Sequence, residues 1–213
     1  MNDARDAAIR RPRMSPDRVM ELLTATMDAL REVGYANLSM DLVALRARCS
    51  KATLYRLWPG KPELVGAALY ATRPVKAEQI NTGTLRGDLQ TIVGLLAAQA
   101  DKDTALFAAM SHAVLTDDEL ALAVQTTIVE PWFAELTGVV DRAVERGELP
   151  SRPAAAEFLP GLLLSVTFTR PLFGSDATDG GYLAGCVDLV LLPALQAAIP
   201  AHAPRDTPPT PKD

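Results

Sequence analysis

The chain has 213 residues, of which 48% are hydrophobic, 22% charged and 5% aromatic. This composition excludes a chain disordered throughout, because it holds enough apolar material to offset the entropy of ordering. Few aromatic residues and abundant Ala and Leu favour helices over strands. No apolar stretch reaches the ~20 residues of a membrane span, and the charged N-terminus lacks the apolar segment of a signal peptide. We therefore expect a cytoplasmic helical protein with no membrane partner.

The charge is distributed unevenly along the chain. Residues 1–61 contain 11 Lys and Arg against 7 Asp and Glu, whereas the rest of the chain contains 10 against 19. The net charge of −5 therefore conceals a basic N-terminal segment. This asymmetry indicates either a module that binds a polyanion or a chance excess of basic residues in an N-terminal tail.

The first predicted helix begins at Ser15, which suits the N-cap position, with Pro16 at the first helical position and Asp17 in the first turn. Apolar residues follow at spacings of three and four, which predicts one buried face. Gly34 is expected to end this helix, since glycine readily takes the left-handed conformation found after helix C-termini.

Two short helices are predicted next, one capped by Ser39 and the other by Ser50. Pro59 and Gly60 break the second of them, and a fourth helix is expected to begin at Lys61. A short helix, a tight turn and another short helix form the helix-turn-helix pattern.

The remainder is predicted to consist of longer helices. One of them begins at an N-cap, Thr116, and runs as far as Gly147, with Pro131 kinking or splitting it. The other predicted helices lie at 84–100, 104–115, 153–169 and 181–198.

These elements predict an all-α protein with an N-terminal three-helix helix-turn-helix domain and a larger C-terminal helical domain. The expected segments are a flexible basic arm at 1–14, the helix-turn-helix domain at 15–73, the helical domain at 74–199 and a disordered, proline-rich tail at 200–213.

Three runs carry a family resemblance: Gly34-Tyr35, Ser39 to Ala44 (SMDLVA) and Ser50 to Leu64 (SKATLYRLWPGKPEL). The last run combines a capped helix, an aromatic–proline turn and an acid–leucine helix start. With these runs the N-terminal part resembles the DNA-binding domain of the tetracycline-repressor (TetR) family of bacterial transcriptional regulators. The remainder agrees with the variable C-terminal domain of that family in length and helicity.

The turn before the third helix departs from the family pattern, which commonly has Gly and then an aliphatic residue at the places of Arg48 and Cys49. If the usual turn is kept, Arg48 has a positive φ and a strain of about 1 kcal/mol. Otherwise the turn is of a different type. Cys49 is expected to fill a small buried site, with redox sensing as the alternative.

In a helix-turn-helix protein the N-terminal residues of the second helix face base edges in the major groove. Here that geometry points Lys51 and Thr53 at the groove. By resemblance, phosphate contacts fall to Ser39, Tyr55 and Lys61, and Arg56 reaches a base edge or a backbone oxygen. The full set of predicted DNA-binding residues is Ser39, Ser50, Lys51, Thr53, Tyr55, Arg56, Lys61 and Arg11, the last from an arm that enters the minor groove.

Simpler interpretations exist for several of these residues. Ser39 and Ser50 cap helices whatever their partner, and Tyr55 packs between helices in the alternative interpretation. Arg11 then belongs to a solubilising tail.

The resemblance implies a homodimer that reads a pseudo-palindromic operator with half-sites ~34–36 Å apart. The last two predicted helices are apolar on nearly all sides, and in the family such helices pair with their copies. The predicted dimer residues are Leu163, Val166, Leu183, Val187 and Val190. The alternative is that these helices form the core of a monomer.

The resemblance also implies an unknown small-molecule effector bound in the C-terminal domain, and no cofactor or metal. Apolar walls with few polar groups are typical of such a pocket and equally of a helical core. The pocket candidates are Phe107, Met110, His112, Trp132, Phe133, Leu162, Phe168 and Arg170.

Catalysis is not expected, because the chain has two histidines and none of the motifs HExxH, GxSxG or a glycine-rich phosphate loop. The alternative function is a helical small-molecule-binding or scaffold protein with weakened or lost DNA binding, and the observation behind it is Arg48 at the place of the usual glycine. Repression is the commoner outcome in the family, and activation remains open.

Overall fold

The computed structural model of the chain describes residues 14–169 and 180–197, and every regular element in these ranges is helical. The predicted all-α class is confirmed. The chain divides into two compact units, Met1–Thr72 and Arg73–Asp213. Arg11, Arg170, most of the predicted arm and the whole predicted tail lie outside the described residues.

The described part of the N-terminal unit contains four helices: α1 (Pro16–Asn37), α2 (Met40–Arg46), α3 (Lys51–Leu57) and α4 (Lys61–Thr72). Helix α1 packs against α2 and α4, and α2 packs against α3. The side chains at the centre of this unit are completely buried aliphatic residues: Leu22, Leu30, Val43, Leu54, Leu64 and Val65.

Helix α1 begins as the sequence predicts. The Ser15 hydroxyl accepts a hydrogen bond from the Arg18 backbone N–H at 3.2 Å, and Pro16 occupies the first turn. Gly34 has a φ of 72° and kinks the helix, but helical structure resumes and continues to Asn37. The predicted end at Gly34 is therefore a kink inside α1.

The described part of the C-terminal unit contains six α-helices: α5 (Leu85–Thr116), α6 (Asp118–Val124), α7 (Glu130–Glu145), α8 (Leu159–Thr169), α9 (Gly180–Cys186) and α10 (Leu192–Gln196). Short 3₁₀ turns lie at Ala77–Gln79 and Ala154–Phe158. The core joins buried aliphatic side chains of most of these helices, including Leu89, Ile92, Leu136, Val140, Leu159, Leu163 and Val187.

The prediction of two separate helices at 84–100 and 104–115 is wrong. Helix α5 is continuous over 32 residues and begins after its N-cap, Thr84. Residues 101–103 are polar, but no Gly or Pro interrupts them. The Gln99 amide donates to the Asp103 carboxylate one turn later, and the Thr104 hydroxyl donates to the Ala100 carbonyl at 2.5 Å. These bonds satisfy polar side chains locally, so the helix continues.

The N-cap of α6 is Asp117 and not Thr116 as predicted. The Asp117 carboxylate accepts from the Leu120 backbone N–H at 2.9 Å, and Asp117 has the extended backbone that a cap requires. The Thr116 hydroxyl instead donates to the His112 carbonyl at 3.1 Å, within the last turn of α5.

Wide π-helical turns precede two prolines of the C-terminal unit. The first, Gln125–Val129, joins α6 to α7 ahead of Pro131, and the second, Val187–Leu191, joins α9 to α10 ahead of Pro193. Proline has no N–H, and its ring crowds the carbonyl of the preceding turn. A widened turn accommodates that ring without ending the helix, so the run from α6 to α7 stays helical through Pro131 and is not split.

Among the described residues no helix, the 32-residue α5 included, is apolar enough over a sufficient length to cross a bilayer.

Candidate nucleic-acid interface

The two short helices of the N-terminal unit begin at serine caps. The Ser39 hydroxyl accepts from the Leu42 backbone N–H at 3.2 Å, which starts α2. The Ser50 hydroxyl accepts from the Thr53 N–H at 3.1 Å and lies 2.8 Å from the Thr53 hydroxyl, which starts α3. The predicted capping by both serines is confirmed. The first turn of α3 is thus ordered by its own side chains.

The turn between these helices is a Schellman motif. The Cys49 N–H donates to the Ala44 carbonyl at 3.0 Å and the Arg48 N–H donates to the Leu45 carbonyl at 3.2 Å. Arg48 has a φ of 49° and is the one described non-glycine residue with a positive φ. The usual turn is kept, at a strain of about 1–2 kcal/mol for a residue that carries a Cβ.

The Arg18 side chain of α1 binds the backbone of this turn through hydrogen bonds. Its guanidinium donates to the Ala47 carbonyl at 2.7 Å and to the Arg48 carbonyl at 3.3 Å. These carbonyls end α2, where a cation also offsets the negative end of the helix dipole. The N–H groups of the turn therefore donate to carbonyls of α2, and its carbonyls accept from Arg18.

Cys49 is half-buried at the position after Arg48. Burial raises the pKa of its thiol, which disfavours the reactive thiolate. This environment suits the small hydrophobic role of Cys49 better than redox sensing.

Helix α3 turns one side to the core and leaves the other open. Leu54 is completely buried, whereas Tyr55 is 48% exposed. Lys51, Ala52 and Arg56 are also exposed. The helix therefore presents two cations and an aromatic hydroxyl on an accessible surface.

Lys51 has a partner that the sequence prediction missed. Its ammonium donates to the Asp41 carboxylate of α2 at 2.8 Å, and both side chains are largely exposed. This hydrogen bond raises the pKa of Lys51. Asp41 stands in the family-like run but carried no predicted role. An acid and a base ten residues apart, each near the start of one helix of the motif, are the signal that could have identified the pair.

Lys61, at the start of α4, lies against Tyr35. Its ammonium donates to the Tyr35 carbonyl at 3.1 Å and sits 4.0 Å from the centre of the Tyr35 ring. These contacts tie α4 to the end of α1. Phosphate binding by Lys61 stays a prediction.

Two short helices at a tight turn, with an exposed and partly basic second helix, define a helix-turn-helix DNA-binding protein. Residues 22–68 match the family described as bacterial regulatory proteins, tetR family. Residues 79–190 match the family described as tetracyclin repressor-like, C-terminal domain. The chain belongs to the TetR family of transcriptional regulators, and it is a DNA-binding regulator.

Individual proteins show the same relationship. The chain is 34% identical over 181 residues to an HTH-type transcriptional regulator of Mycobacterium tuberculosis, covering 84% of this chain and 88% of that protein. It is 36% identical over 129 residues to the DNA-binding transcriptional repressor TetR of Mycobacteroides abscessus, covering 60% of this chain and 68% of that protein.

A solved structure from Rhodococcus sp., described as a TetR-family transcriptional regulator, has a TM-score of 0.67 and 16% identity. It covers 86% of this chain and 100% of its own. This likeness supports the fold.

The described pocket candidates differ in their exposure. His112 lies exposed on α5, while Met110 and Trp132 are buried. The Trp132 ring N–H donates to the Pro160 carbonyl at 3.2 Å. Phe107 and Phe168 stack with ring centres 4.2 Å apart, and Phe107 and Phe133 remain 36% and 40% exposed.

A small apolar cavity of about 170 Å³ lies elsewhere in this unit, and Leu162 is the one predicted pocket residue in its wall. Its lining comes from the 3₁₀ turn before α8, from α8 and from the α10 region: Ala155, Phe158, Leu159, Leu162, Leu191, Ala194 and Leu195.

Three of the predicted dimer residues are buried and cannot contact a second copy directly. Leu163, Leu183 and Val187 are at most 3% exposed, because they fill the core of their own unit. Val166 is half-buried and Val190 is 55% exposed. The exposed apolar residues of this region, which we call the outer apolar face, are Phe158, Leu162, Tyr182, Leu189 and Val190.

The described residues contain no group of three or more His, Cys, Asp or Glu side chains that could hold a metal ion.

Proposed function

We propose that this chain is a ligand-responsive repressor that binds a pseudo-palindromic operator as a homodimer. The observation that carries this proposal is the exposed helix α3, which begins at a capped Ser50 and carries Lys51 at its N-terminal end. This is the end of a recognition helix that enters the major groove.

Within this proposal, Lys51 and Thr53 read base edges, and Arg56 contacts a base or the backbone. A lysine can donate to guanine, and a threonine offers a hydroxyl and a methyl group. The groups assigned to phosphates are Ser39, Tyr55 and Lys61, with Arg11 in the minor groove. The Ser50 hydroxyl is occupied by its cap and serves to orient the helix.

The dimer is proposed to form through the outer apolar face. One short recognition helix offers few base contacts, so two copies related by a two-fold axis are needed for useful affinity. The exposure of Phe158 (63%) and Leu189 (78%) supports this assignment, because such side chains are costly to leave in water.

The effector is proposed to bind in the C-terminal unit against the aromatic side chains Phe107, Phe133 and Phe168. Effector and operator would each favour a different form of the dimer, so each weakens binding of the other by the same factor. Repression is supported by the relative from Mycobacteroides abscessus, which is described as a repressor. We infer a binding protein and not an enzyme, and it acts in the cytoplasm with the chromosome.

The experiment is selection of bound fragments from a random DNA pool by the purified full chain at about 150 mM salt, because affinity depends steeply on salt. The expected result is an inverted repeat with half-sites one helical turn apart. Recovery of no motif by folded, dimeric protein would contradict the proposal and favour the alternative, a helical binding or scaffold protein without DNA binding.

A further inference from the structure

Arg48 combines two features that a purely structural residue would not need. Its backbone occupies the left-handed region, with a φ of 49°, at a position that Gly or Asn would fill with less strain. Its side chain is exposed. Residues kept in unfavourable backbone conformations cluster at functional sites, so the conformation raises the question of what the side chain does.

The other cations of this unit are largely engaged. In the described residues up to Thr72, Arg18 pairs with Glu21, Arg31 with Asp28, Arg46 with Glu32 and Lys51 with Asp41, while Lys61 lies on Tyr35. Arg48 and Arg56 are the two basic residues without an ion pair or a hydrogen-bonded side chain in that described part. The free positive charge of the helix-turn-helix motif is therefore held at the turn and at the end of α3.

The place of Arg48 in the chain puts it beside the DNA-reading end of α3. It lies two residues before the cap Ser50, so its Cα is within about 7 Å of the Ser50 Cα. Residues next to the N-terminal end of a recognition helix face the phosphate-lined edges of the major groove. The Schellman bonds and the two bonds from Arg18 hold the backbone there.

We propose that Arg48 is a DNA-contacting residue whose guanidinium binds a phosphate oxygen beside the N-terminal end of α3. The assignment rests on the proposed function. Arginine suits this role because its planar donors bind phosphate in a bidentate manner and it stays charged at any physiological pH. The strain in the turn and the charge on the side chain then have a single explanation.

The test compares three substitutions in the full chain. Arg48→Gly removes both strain and charge, Arg48→Asn removes the charge at a residue that tolerates the left-handed region, and Arg48→Lys keeps the charge. Arg31→Gln on α1 is the control for loss of one positive charge elsewhere in the unit. Binding is measured by fluorescence anisotropy on a duplex carrying the selected inverted repeat and on a scrambled duplex of equal length, between about 50 and 200 mM salt. Thermal unfolding is followed on the same samples.

Arg48→Gly and Arg48→Asn are expected to unfold at or above the wild-type temperature and yet to bind both duplexes on the order of 10-fold more weakly. Their salt slope should fall by about 1.8, because a dimer loses two phosphate contacts. Arg48→Lys should keep the wild-type salt slope, because it keeps the charge, but should lose part of the affinity, because it lacks the bidentate donors. Arg31→Gln should bind nearly as the wild type does.

Binding by Arg48→Gly with wild-type affinity and wild-type salt slope would overturn the assignment and leave Arg48 as a strained turn residue only. Wild-type protein that binds no duplex at all would overturn the proposed function, and the assignment with it.

Discussion

Arg48 and Gly147 occupy the same position in two copies of one helix-ending motif. After α7, the Gly147 N–H donates to the Val144 carbonyl at 2.9 Å and the Glu148 N–H donates to the Ala143 carbonyl at 2.9 Å. These are the same two bonds that end α2 at Arg48. Gly147 has a φ of 78° and Arg48 a φ of 49°. The chain thus contains both an unstrained and a strained version of this turn.

The first prediction concerns the backbone requirement at Gly147. Gly147→Ala should destabilise the protein by about 1 kcal/mol, because alanine carries a Cβ into the left-handed region. Gly94→Ala is the matched control, since Gly94 lies inside α5 and its Cβ would meet open space. The control should stabilise by about 0.5–1 kcal/mol. Urea unfolding measures the change in the free energy of unfolding for both substitutions. Changes of the same sign would contradict the conformational explanation.

The second prediction separates the two roles of Ser39. Ser39→Asp should keep the stability of the protein, because aspartate is as good an N-cap as serine, whereas Ser39→Ala should cost about 1 kcal/mol. If Ser39 also lies at a phosphate, Ser39→Asp must weaken operator binding strongly through repulsion. Thermal unfolding and anisotropy on the same sample distinguish these effects. Unchanged binding by Ser39→Asp would leave Ser39 as a cap alone.

The third prediction follows from the pair between Lys51 and Asp41. Asp41→Asn should strengthen DNA binding, because it frees the Lys51 ammonium and removes a negative charge from the DNA-facing side. Lys51→Ala should weaken binding and reduce the salt slope. Both side chains are largely exposed, so Asp41→Asn should leave the urea midpoint of unfolding nearly unchanged. Tighter binding by the wild type than by Asp41→Asn would show that Asp41 helps recognition directly.

The fourth prediction locates the dimer contact. Leu189→Asp, on the outer apolar face, should give a folded monomer, because the charge would be buried between two copies. Leu115→Asp is the control: Leu115 is 84% exposed at the end of α5, a helix that contributes no residue to that face. Light scattering reports the mass of each variant. A dimer that survives Leu189→Asp would remove the outer apolar face from the interface.

The fifth prediction concerns pH and the pair between Arg86 and Asp188. The Arg86 guanidinium donates to both Asp188 oxygens, at 2.8 and 2.6 Å, and this hydrogen bonding lowers the pKa of Asp188 below its usual 3.8. A lowered pKa means that the charged carboxylate stabilises the folded state at neutral pH. That contribution is lost as pH falls through the folded-state pKa.

Asp188→Asn should accordingly be less stable than wild type at pH values of about 7 and equal to it at pH values well below 3.8. The urea midpoint at each pH measures the difference. Arg86→Gln should produce the same loss, and the double substitution should add little to either. A difference that persists unchanged in acid would mean that Asp188 acts through packing and not through its charge.

The sequence was most informative where a single residue type decides local geometry. Ser15, Ser39 and Ser50 cap their helices as predicted, because few residues can bond the free N–H groups of a first helical turn. The glycine that usually stands at the position of Arg48 left two alternatives, a positive φ or a different turn, and the structure has the positive φ.

The sequence was least informative where burial depends on distant parts of the chain. Leu163 and Val187 are as apolar as Leu162 and Leu189, yet the first two fill the core and the last two face outward. Hydrophobicity alone cannot distinguish a residue that packs within its own unit from one available to a second copy. The pair between Lys51 and Asp41 was missed for a related reason, since it depends on the angle between two helices.

The π turn at Val187–Leu191 bears on why the sequence of the predicted helix 181–198 is apolar on nearly all sides. The deeply buried positions Leu183, Val187, Leu191 and Leu195 recur every four residues. In a regular α-helix, positions four apart drift by about 40° around the axis at each step. The wide turn has more residues per turn than an α-helix, which offsets this drift and is consistent with the burial of all four side chains. Deleting one residue within it would therefore rotate everything that follows, exchanging core for surface while leaving the composition almost unchanged.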